Sequence, residues 1–190
     1  MKKIYTLLIL LFLGSSIHAQ TAWSPPLPID SVTHEVSYHG VVKVANVNAF
    51  QLYNQAKDWQ QAASHEVTTR VPLKADRKAG LFIGKRIAIV GDKRFVFTIA
   101  VECRDGQYEY LFTQFQLLTP STRTPTEVPG RMFVTFPSIM PLQKVAMAPA
   151  NLTPTGEVRP DIKKMLTDAN MAFQVLVGNL MQTMARTGKG

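Results

Sequence analysis

The chain has 190 residues, 46% of them hydrophobic, and carries a formal net charge of +8 at pH 7. This composition provides for the core of a globular domain and does not indicate disorder. The single cysteine, Cys103, excludes a framework of disulfides. We expect Cys103 to be buried as a small hydrophobic residue; the alternative is a nucleophile or an intermolecular disulfide.

The N-terminus is typical of a secretory signal peptide, which we place at residues 1–19. Two lysines precede an apolar run, Ile4–Leu13, and the small residue Ala19 marks the expected cleavage site. The run has about ten residues, whereas a membrane-spanning helix needs about twenty. No cysteine adjoins the cleavage site, so lipid attachment is not expected. We therefore expect a soluble exported protein, periplasmic or extracellular and not a lipoprotein, that begins at Gln20.

One strand and one helix are predicted after a proline-containing lead-in. The strand spans about His34–Val44, where apolar residues alternate with polar ones. Asn48 and Gln51 have the spacing of a reciprocal capping box, which predicts that a helix begins there. The apolar stripe of this helix consists of Leu52, Tyr53, Ala56, Trp59 and Ala63.

Four strands are predicted next, and the last two form a hairpin. The four segments are Val67–Leu73, Leu81–Val90, Arg94–Arg104 and Gln107–Leu117. Asp105-Gly106 is a strong signal for a two-residue turn, because both residues tolerate a positive φ. The turn predicts a dry face with Phe97, Ile99, Val101, Cys103, Tyr108, Tyr110 and Phe112. It predicts a hydrated face with Thr98, Ala100, Glu102, Arg104, Gln107, Glu109, Leu111 and Thr113.

The remaining chain is predicted to be an irregular linker, 119–157, and a long helix, 158–187. The linker contains one further predicted strand, Arg131–Phe136, and we expect residues 138–156 to be irregular. The helix is indicated by a stripe that keeps the helical period: Ile162, Met165, Leu166, Ala169, Phe173, Leu176, Val177, Leu180 and Met184. We expect this stripe to pack on the sheet of the same domain, although methionines on a helix also suit an adaptable binding surface.

Three segments carry a family resemblance: Leu27-Pro28-Ile29-Asp30, the helical Phe50–Trp59, and Val101–Tyr108 around the turn. They resemble a family of exported bacterial proteins whose domain is of unknown function and has a fold like that of the TATA-binding protein (TBP). The resemblance implies an α+β domain over 27–118, with a curved antiparallel sheet in the order strand, helix, four strands. It also implies that the long C-terminal helix packs on this domain. It implies no activity, and no catalytic residue can be carried over.

The residues show no catalytic or metal-binding motif. The predicted turn places Glu102 opposite Glu109, and facing carboxylates can raise one pKa into the range of a general acid. A glycan-cleaving pair needs a cleft around it, however, which a flat hairpin face does not provide. The histidines match no zinc spacing, so we predict neither a metal nor a cofactor.

Positive charge is concentrated between Arg70 and Arg94, and this segment is a candidate binding site for anions. Outside a cell, such a field attracts acidic glycans, lipid head groups or free nucleic acid. The alternative is a solvated strand face that lysines protect from aggregation. The candidate anion-binding residues are Lys74, Arg77, Lys78, Lys85, Arg86, Lys93 and Arg94.

These observations favour an exported, non-enzymatic binding or interaction module. Its partner would be an anionic envelope polymer or another exported protein. One alternative is an envelope hydrolase that acts on glycans through Glu102 and Glu109. The other is a binder of anionic polymers that uses the basic segment 70–94.

Overall fold

The structure is a computed structural model that describes residues 23–62, 72–119 and 138–186. Its strands are β1 Tyr38–Lys43, β2 Pro72–Asp76, β3 Leu81–Val90, β4 Lys93–Arg104, β5 Gln107–Thr119 and β6 Ser138–Pro141. Its helices are α1 Ala49–Ala62, α2 Leu142–Val145 and α3 Pro160–Ala185, with a short 3-10 turn at Pro149–Asn151. The predicted signal peptide, the strand at Arg131–Phe136 and most of the strand at Val67–Leu73 lie outside the described residues.

The strands form one antiparallel sheet in the order β1-β5-β4-β3-β2. β6 also pairs with β5. β1 pairs with residues 107–112 of β5 and β6 pairs with residues 116–119, so the two short strands share one edge of β5. The predicted α+β class, with an antiparallel sheet and a long C-terminal helix, is confirmed.

Residues 138–151 are more regular than we predicted, because they form β6, α2 and the 3-10 turn. β6 is held by its pairing with β5, and α2 buries Leu142 and Val145 in the core. Elements of three or four residues are too short to show a hydrophobic period, so the sequence alone does not indicate them.

The predicted β4–β5 hairpin is confirmed. Glu102 faces Glu109 and Cys103 faces Tyr108, while Gly106 has the positive φ of 74° that the turn requires. This register continues to Thr98 and Thr113. The predicted dry side chains are buried, apart from the half-buried Tyr110, but Thr98 was wrongly predicted to be hydrated: it is only 8% exposed and donates to Gln114 Oε1 (2.9 Å).

A β-bulge at Gln114 ends the predicted register. Gln114 has a φ of 56°, and the pairing shifts between Val96 and Thr98. The extra residue reverses the alternation of β5, so Phe112 and Phe115 both point into the core although they are three positions apart. The aromatic core is thereby extended toward α3.

The start of α1 is fixed both locally and by the hairpin turn. Asn48 N–H donates to Gln51 Oε1 (3.1 Å) and Gln51 N–H donates to Asn48 Oδ1 (2.9 Å), which confirms the predicted capping box. Ala49 N–H donates to Asp105 Oδ1 in the β4–β5 turn (2.8 Å). The turn and the helix are therefore joined as one unit.

α1 and α3 pack on the same face of the sheet. Trp59 of α1 lies 6.1 Å from the Phe112 ring, and Phe173 of α3 lies 4.4 Å from Phe115 and 5.6 Å from Phe95, as centroid distances. All nine residues of the predicted α3 stripe are buried or packed against the core. None of the helices in the described residues combines the length and apolar character needed to cross a bilayer.

Candidate functional site

The candidate functional surface is the face of the sheet opposite the helices. Strand side chains alternate between the faces, and those buried under α1 and α3 define the dry side. We call the other side the open face. It consists of every second position of 81–89, 94–104 and 107–113, with His39, Val41 and Lys43 of β1, and Lys74 and Asp76 of β2.

Aliphatic side chains lie side by side on the open face. The pairing aligns Leu111, Ala100 and Ile83 in one row across β5, β4 and β3. Leu111 is 37% exposed, and Ile89, further along β3, is 50% exposed. Ala100 and Ile83 are half-buried, so the row is a partly exposed aliphatic surface of the kind that interaction sites contain.

Charged side chains of the open face lie near both ends of the strands and at Lys85 between them. Glu102 and Glu109 lie near the β4–β5 turn, where Arg104 donates to Glu102 (2.7 Å). Arg94 lies at the opposite end of β4, and Lys85 lies between them on β3. The part of the chain that the structure describes contains no ion pair to Arg94, Lys85 or Glu109. The turn end of the open face therefore carries Glu102 and Glu109 together with Arg104 and Lys43, and the opposite end carries Arg94.

The structure distributes the predicted anion-binding residues over several surfaces. Lys74, Lys85 and Arg94 are exposed on the open face. Arg77 and Lys78 lie in the β2–β3 turn, with the Arg77 guanidinium 3.8 Å above the ring of Phe50. Their role in binding anions stays a prediction.

Two of the predicted cations, Lys93 and Arg86, do not lie on the open face. Lys93 pairs with Asp92 at the β3–β4 turn (2.8 Å). Arg86 is only 4% exposed, and its guanidinium lies 4.5 Å from the Trp59 ring on the helix side of the sheet. Burial lowers the pKa of Arg86 to about 10. Strand alternation is the signal that separates it from Lys85, because adjacent residues point to opposite faces.

Cys103 is buried, as predicted, and carries a free thiol. Desolvation, and secondarily the nearby Glu102 carboxylate, raises the pKa of Cys103 to about 12. The thiol is therefore protonated at neutral pH, which removes the thiolate that a nucleophile or a disulfide exchange requires.

A shallow groove beside β1 was not predicted from the sequence. It has a volume of about 290 Å³ and lies between the lead-in, β1 and α3, next to Tyr38, Tyr110 and Gln174. Tyr38 Oη donates to Asn170 Oδ1 (2.7 Å), and burial raises the Tyr38 pKa. Gly40 leaves room for the Tyr110 side chain beside the groove, because a Cβ there would lie 2.8 Å from Tyr110 Oη.

Metal ligands are not gathered at any of these places. Within residues 23–62, 72–119 and 138–186, no group of three or more histidine, cysteine, aspartate or glutamate side chains could hold a metal ion.

Comparison with known proteins supports the fold. Residues 38–117 match a family described as a domain of unknown function (DUF4468) with TBP-like fold. A crystal structure of a TBP-like protein from Parabacteroides distasonis is similar, with a TM-score of 0.58 and 10% identity over 84% of this chain and 97% of that chain. A DUF4468 family protein from Bacteroides ovatus gives a TM-score of 0.51 at 10% identity, over 85% of this chain and 93% of that chain. No curated protein matches the chain.

At 10% identity, the similarity to these two structures establishes the fold and nothing more. The curved antiparallel sheet with a long C-terminal helix is that of the TBP-like proteins, as the resemblance predicted. The family resemblance is confirmed: residues 38–117 match the domain of unknown function DUF4468, on a TBP-like fold.

Proposed function

We propose that this protein is an exported, non-enzymatic interaction module that binds another protein through the open face of its sheet. The observation that supports this most strongly is the contiguous aliphatic surface around Leu111, Ala100 and Ile83, on the side away from the helices. Leaving such side chains in water forfeits about 25 cal/mol for each Å² of apolar area, a free energy that a binding partner recovers.

Photo-crosslinking in living cells tests the surface. A photo-crosslinking amino acid is placed at Leu111 or Ile89 on the open face, and at the exposed Gln182 of α3 as the control. We expect protein adducts from the two sheet positions and few from Gln182. An absence of adducts from both sheet positions, with the protein present at normal levels, overturns the proposal.

Export is the second part of the proposal and is supported by residues 1–19. In a Gram-negative host, we expect the protein in the periplasm or the medium, and N-terminal sequencing should find Gln20 first. The Ala19→Arg variant should keep its leader, because the small residue that leader peptidases need is lost. A native protein that stays in the cytoplasm with Met1 intact contradicts export.

The second candidate function is binding of an anionic envelope polymer. Lys74, Lys85 and Arg94 favour it, because all three are exposed on the open face and the described residues give them no ion-pair partner. Heparin is a suitable polyanionic probe. Binding that weakens steeply with salt, and weakens further in Lys85→Gln, supports this function. Binding that is absent or insensitive to salt excludes it.

The third candidate, a glycan hydrolase, depends on Glu102 and Glu109. The two carboxylates face each other on exposed strands, and Arg104 engages Glu102. Hydrolysis of envelope polymers by the purified protein, lost in Glu102→Ala and Glu109→Ala, would favour this function over the interaction module.

A further inference from the structure

We infer that the partner bound by the open face is a second copy of this chain, packed face to face about a two-fold axis. This inference rests on the proposed function and specifies which protein binds the open face.

The first argument is that Arg94 and Glu109 of the open face have no ion pair within the described residues of their own chain. Arg94 and Glu102 lie on the same face of β4. They are about 26 Å apart, at about 3.3 Å per residue. Glu109 faces Glu102 directly, and facing like charges on a sheet are unfavourable. The Arg104 guanidinium pairs with Glu102 and also attracts Glu109 electrostatically, but the described residues contain no ion pair to Glu109.

A two-fold axis that crosses β4 at Thr98 brings the two ends together. The axis lies parallel to the sheet and perpendicular to the strands, so a position before Thr98 faces the equivalent position after it in the other copy. Arg94 of one copy then faces Glu102 of the other, and Glu109 lies beside this contact. Val96 faces Ala100 in the same way. Each dimer contains every such contact twice.

The same axis matches the aliphatic residues of β3. The pairing of β3 with β4 aligns Lys85 with Thr98, so the axis crosses β3 at Lys85. Ile83 of one copy then faces Ile87 of the other, and Leu81 faces Ile89. The sequence of β3 on the open face is therefore apolar on both sides of a central lysine, a pattern that a two-fold contact can bury.

Lys85 is an unfavourable position in this arrangement, and so is Glu35, which accepts a hydrogen bond from Thr113 (3.5 Å) in the row of Thr98. The side chains of Lys85 from the two copies meet at the axis, and juxtaposed like charges at an interface cost binding free energy. This repulsion distinguishes the inference from polymer binding, because an anionic polymer would need Lys85, whereas the dimer is weakened by it.

The size of the open face suits a stable dimer. Five strands at about 4.8 Å spacing and a length of about 30 Å give roughly 700 Å² for each copy. Standard protein interfaces bury about 800 Å² on each partner. Sheets that pack face to face lie about 10 Å apart with their strands nearly aligned, which the proposed axis permits.

The test is sedimentation equilibrium of the full chain over a range of concentrations. We expect a monomer–dimer equilibrium whose Kd rises about tenfold or more in Arg94→Glu and in Glu102→Arg, because each creates two like-charge contacts. An equimolar mixture of these two variants should regain the native Kd, since the heterodimer contains only opposite charges at both contacts. Lys85→Gln should lower the Kd several-fold. Circular dichroism melting of each variant checks that it is folded.

Three results overturn the inference: a monomer at all concentrations, a Kd unchanged in both charge reversals, or a weaker dimer in Lys85→Gln. If Glu102→Arg does not fold, Arg94→Glu and Lys85→Gln still decide. The crosslinking at Leu111 separates failure of the dimer inference from failure of the proposed function. Adducts with a different protein support the interaction function and exclude the dimer. Adducts of twice the monomer mass support the interaction function and the dimer.

Discussion

At the scale of single residues, two turn glycines show how a close backbone contact limits the sequence. Gly80 and Gly91 have φ angles of 66° and 61°. A Cβ at Gly80 would fall on the carbonyl oxygen of Cys103, and the Cys103 N–H donates to the carbonyl of Gly80 (2.9 Å). A Cβ at Gly91 would meet no atom within 4 Å. Gly80 therefore serves both the turn and the packing of β3 on β4.

We predict that Gly80→Ala lowers the free energy of unfolding by about 3 kcal/mol, the sum of a left-handed backbone and a steric clash. Gly91→Ala is the matched control and should lose only about 1–2 kcal/mol, because the backbone cost remains and the clash does not. Urea denaturation measures both losses. Equal losses in the two variants would contradict the clash with Cys103.

The buried thiol predicts a pH dependence of stability. Burial raises the pKa of Cys103 from 9.0 to about 12, so between these values the folded chain holds a proton that the unfolded chain releases. Stability from this group is complete below pH 9 and falls as the pH rises toward 12. In Cys103→Val, the unfolding free energy should fall less steeply with pH over this range, because unfolding then releases about one proton fewer. If the unfolding free energy has the same slope against pH in both proteins, the Cys103 thiol ionises equally well in the folded and the unfolded chain, and the prediction is wrong.

At the scale of elements, Asp105 ties the β4–β5 turn to the start of α1. Its carboxylate accepts the N–H of Ala49 at 2.8 Å, in addition to the capping box. We predict that Asp105→Ala costs about 1 kcal/mol of unfolding free energy, the usual value of a lost N-terminal cap. Hydrogen exchange should also become faster in the first turn of α1.

Asp92→Ala is the control for this prediction, because Asp92 also lies in a turn between strands. Its side chain is 83% exposed and pairs with Lys93 at the surface. Exposed ion pairs contribute little, so the loss should be within about 0.5 kcal/mol. If Asp92→Ala costs as much as Asp105→Ala, the contact with α1 does not stabilise the fold.

The elements also show which features the sequence could predict. The register at Asp105-Gly106 and the cap at Asn48 depend on neighbouring residues, so local signals were sufficient. The bulge at Gln114 depends on how Phe115 packs under α3, and glutamine carries no turn signal. The face of the sheet that the helices cover is likewise decided by packing. By contrast, strand alternation alone predicts that the side chains of Lys85 and Arg86 point to opposite faces of the sheet.

At the scale of the whole molecule, α3 and the sheet share one aromatic core. The Phe173 ring contacts four others, with centroids 4.4 Å from Phe115, 5.6 Å from Phe95, 5.7 Å from Phe97 and 6.1 Å from Tyr38. The contacts come from β1, β4 and β5. The C-terminal helix therefore shares one core with β1, β4 and β5.

We predict that Phe173→Ala lowers the free energy of unfolding by about 3–5 kcal/mol, because it leaves a cavity between α3 and three strands. Val175→Ala is the matched control, since Val175 is on the same helix and 61% exposed, and alanine favours a helix. The loss should appear equally in far-ultraviolet circular dichroism and in tryptophan fluorescence, with coincident transitions. Because Trp23 lies beside Lys163 of α3, the fluorescence is read in a Trp23→Phe background, where Trp59 in α1 is the reporter. If the helix signal is lost first and Trp59 reports unchanged stability, α3 is a separate folding unit and the single core is wrong.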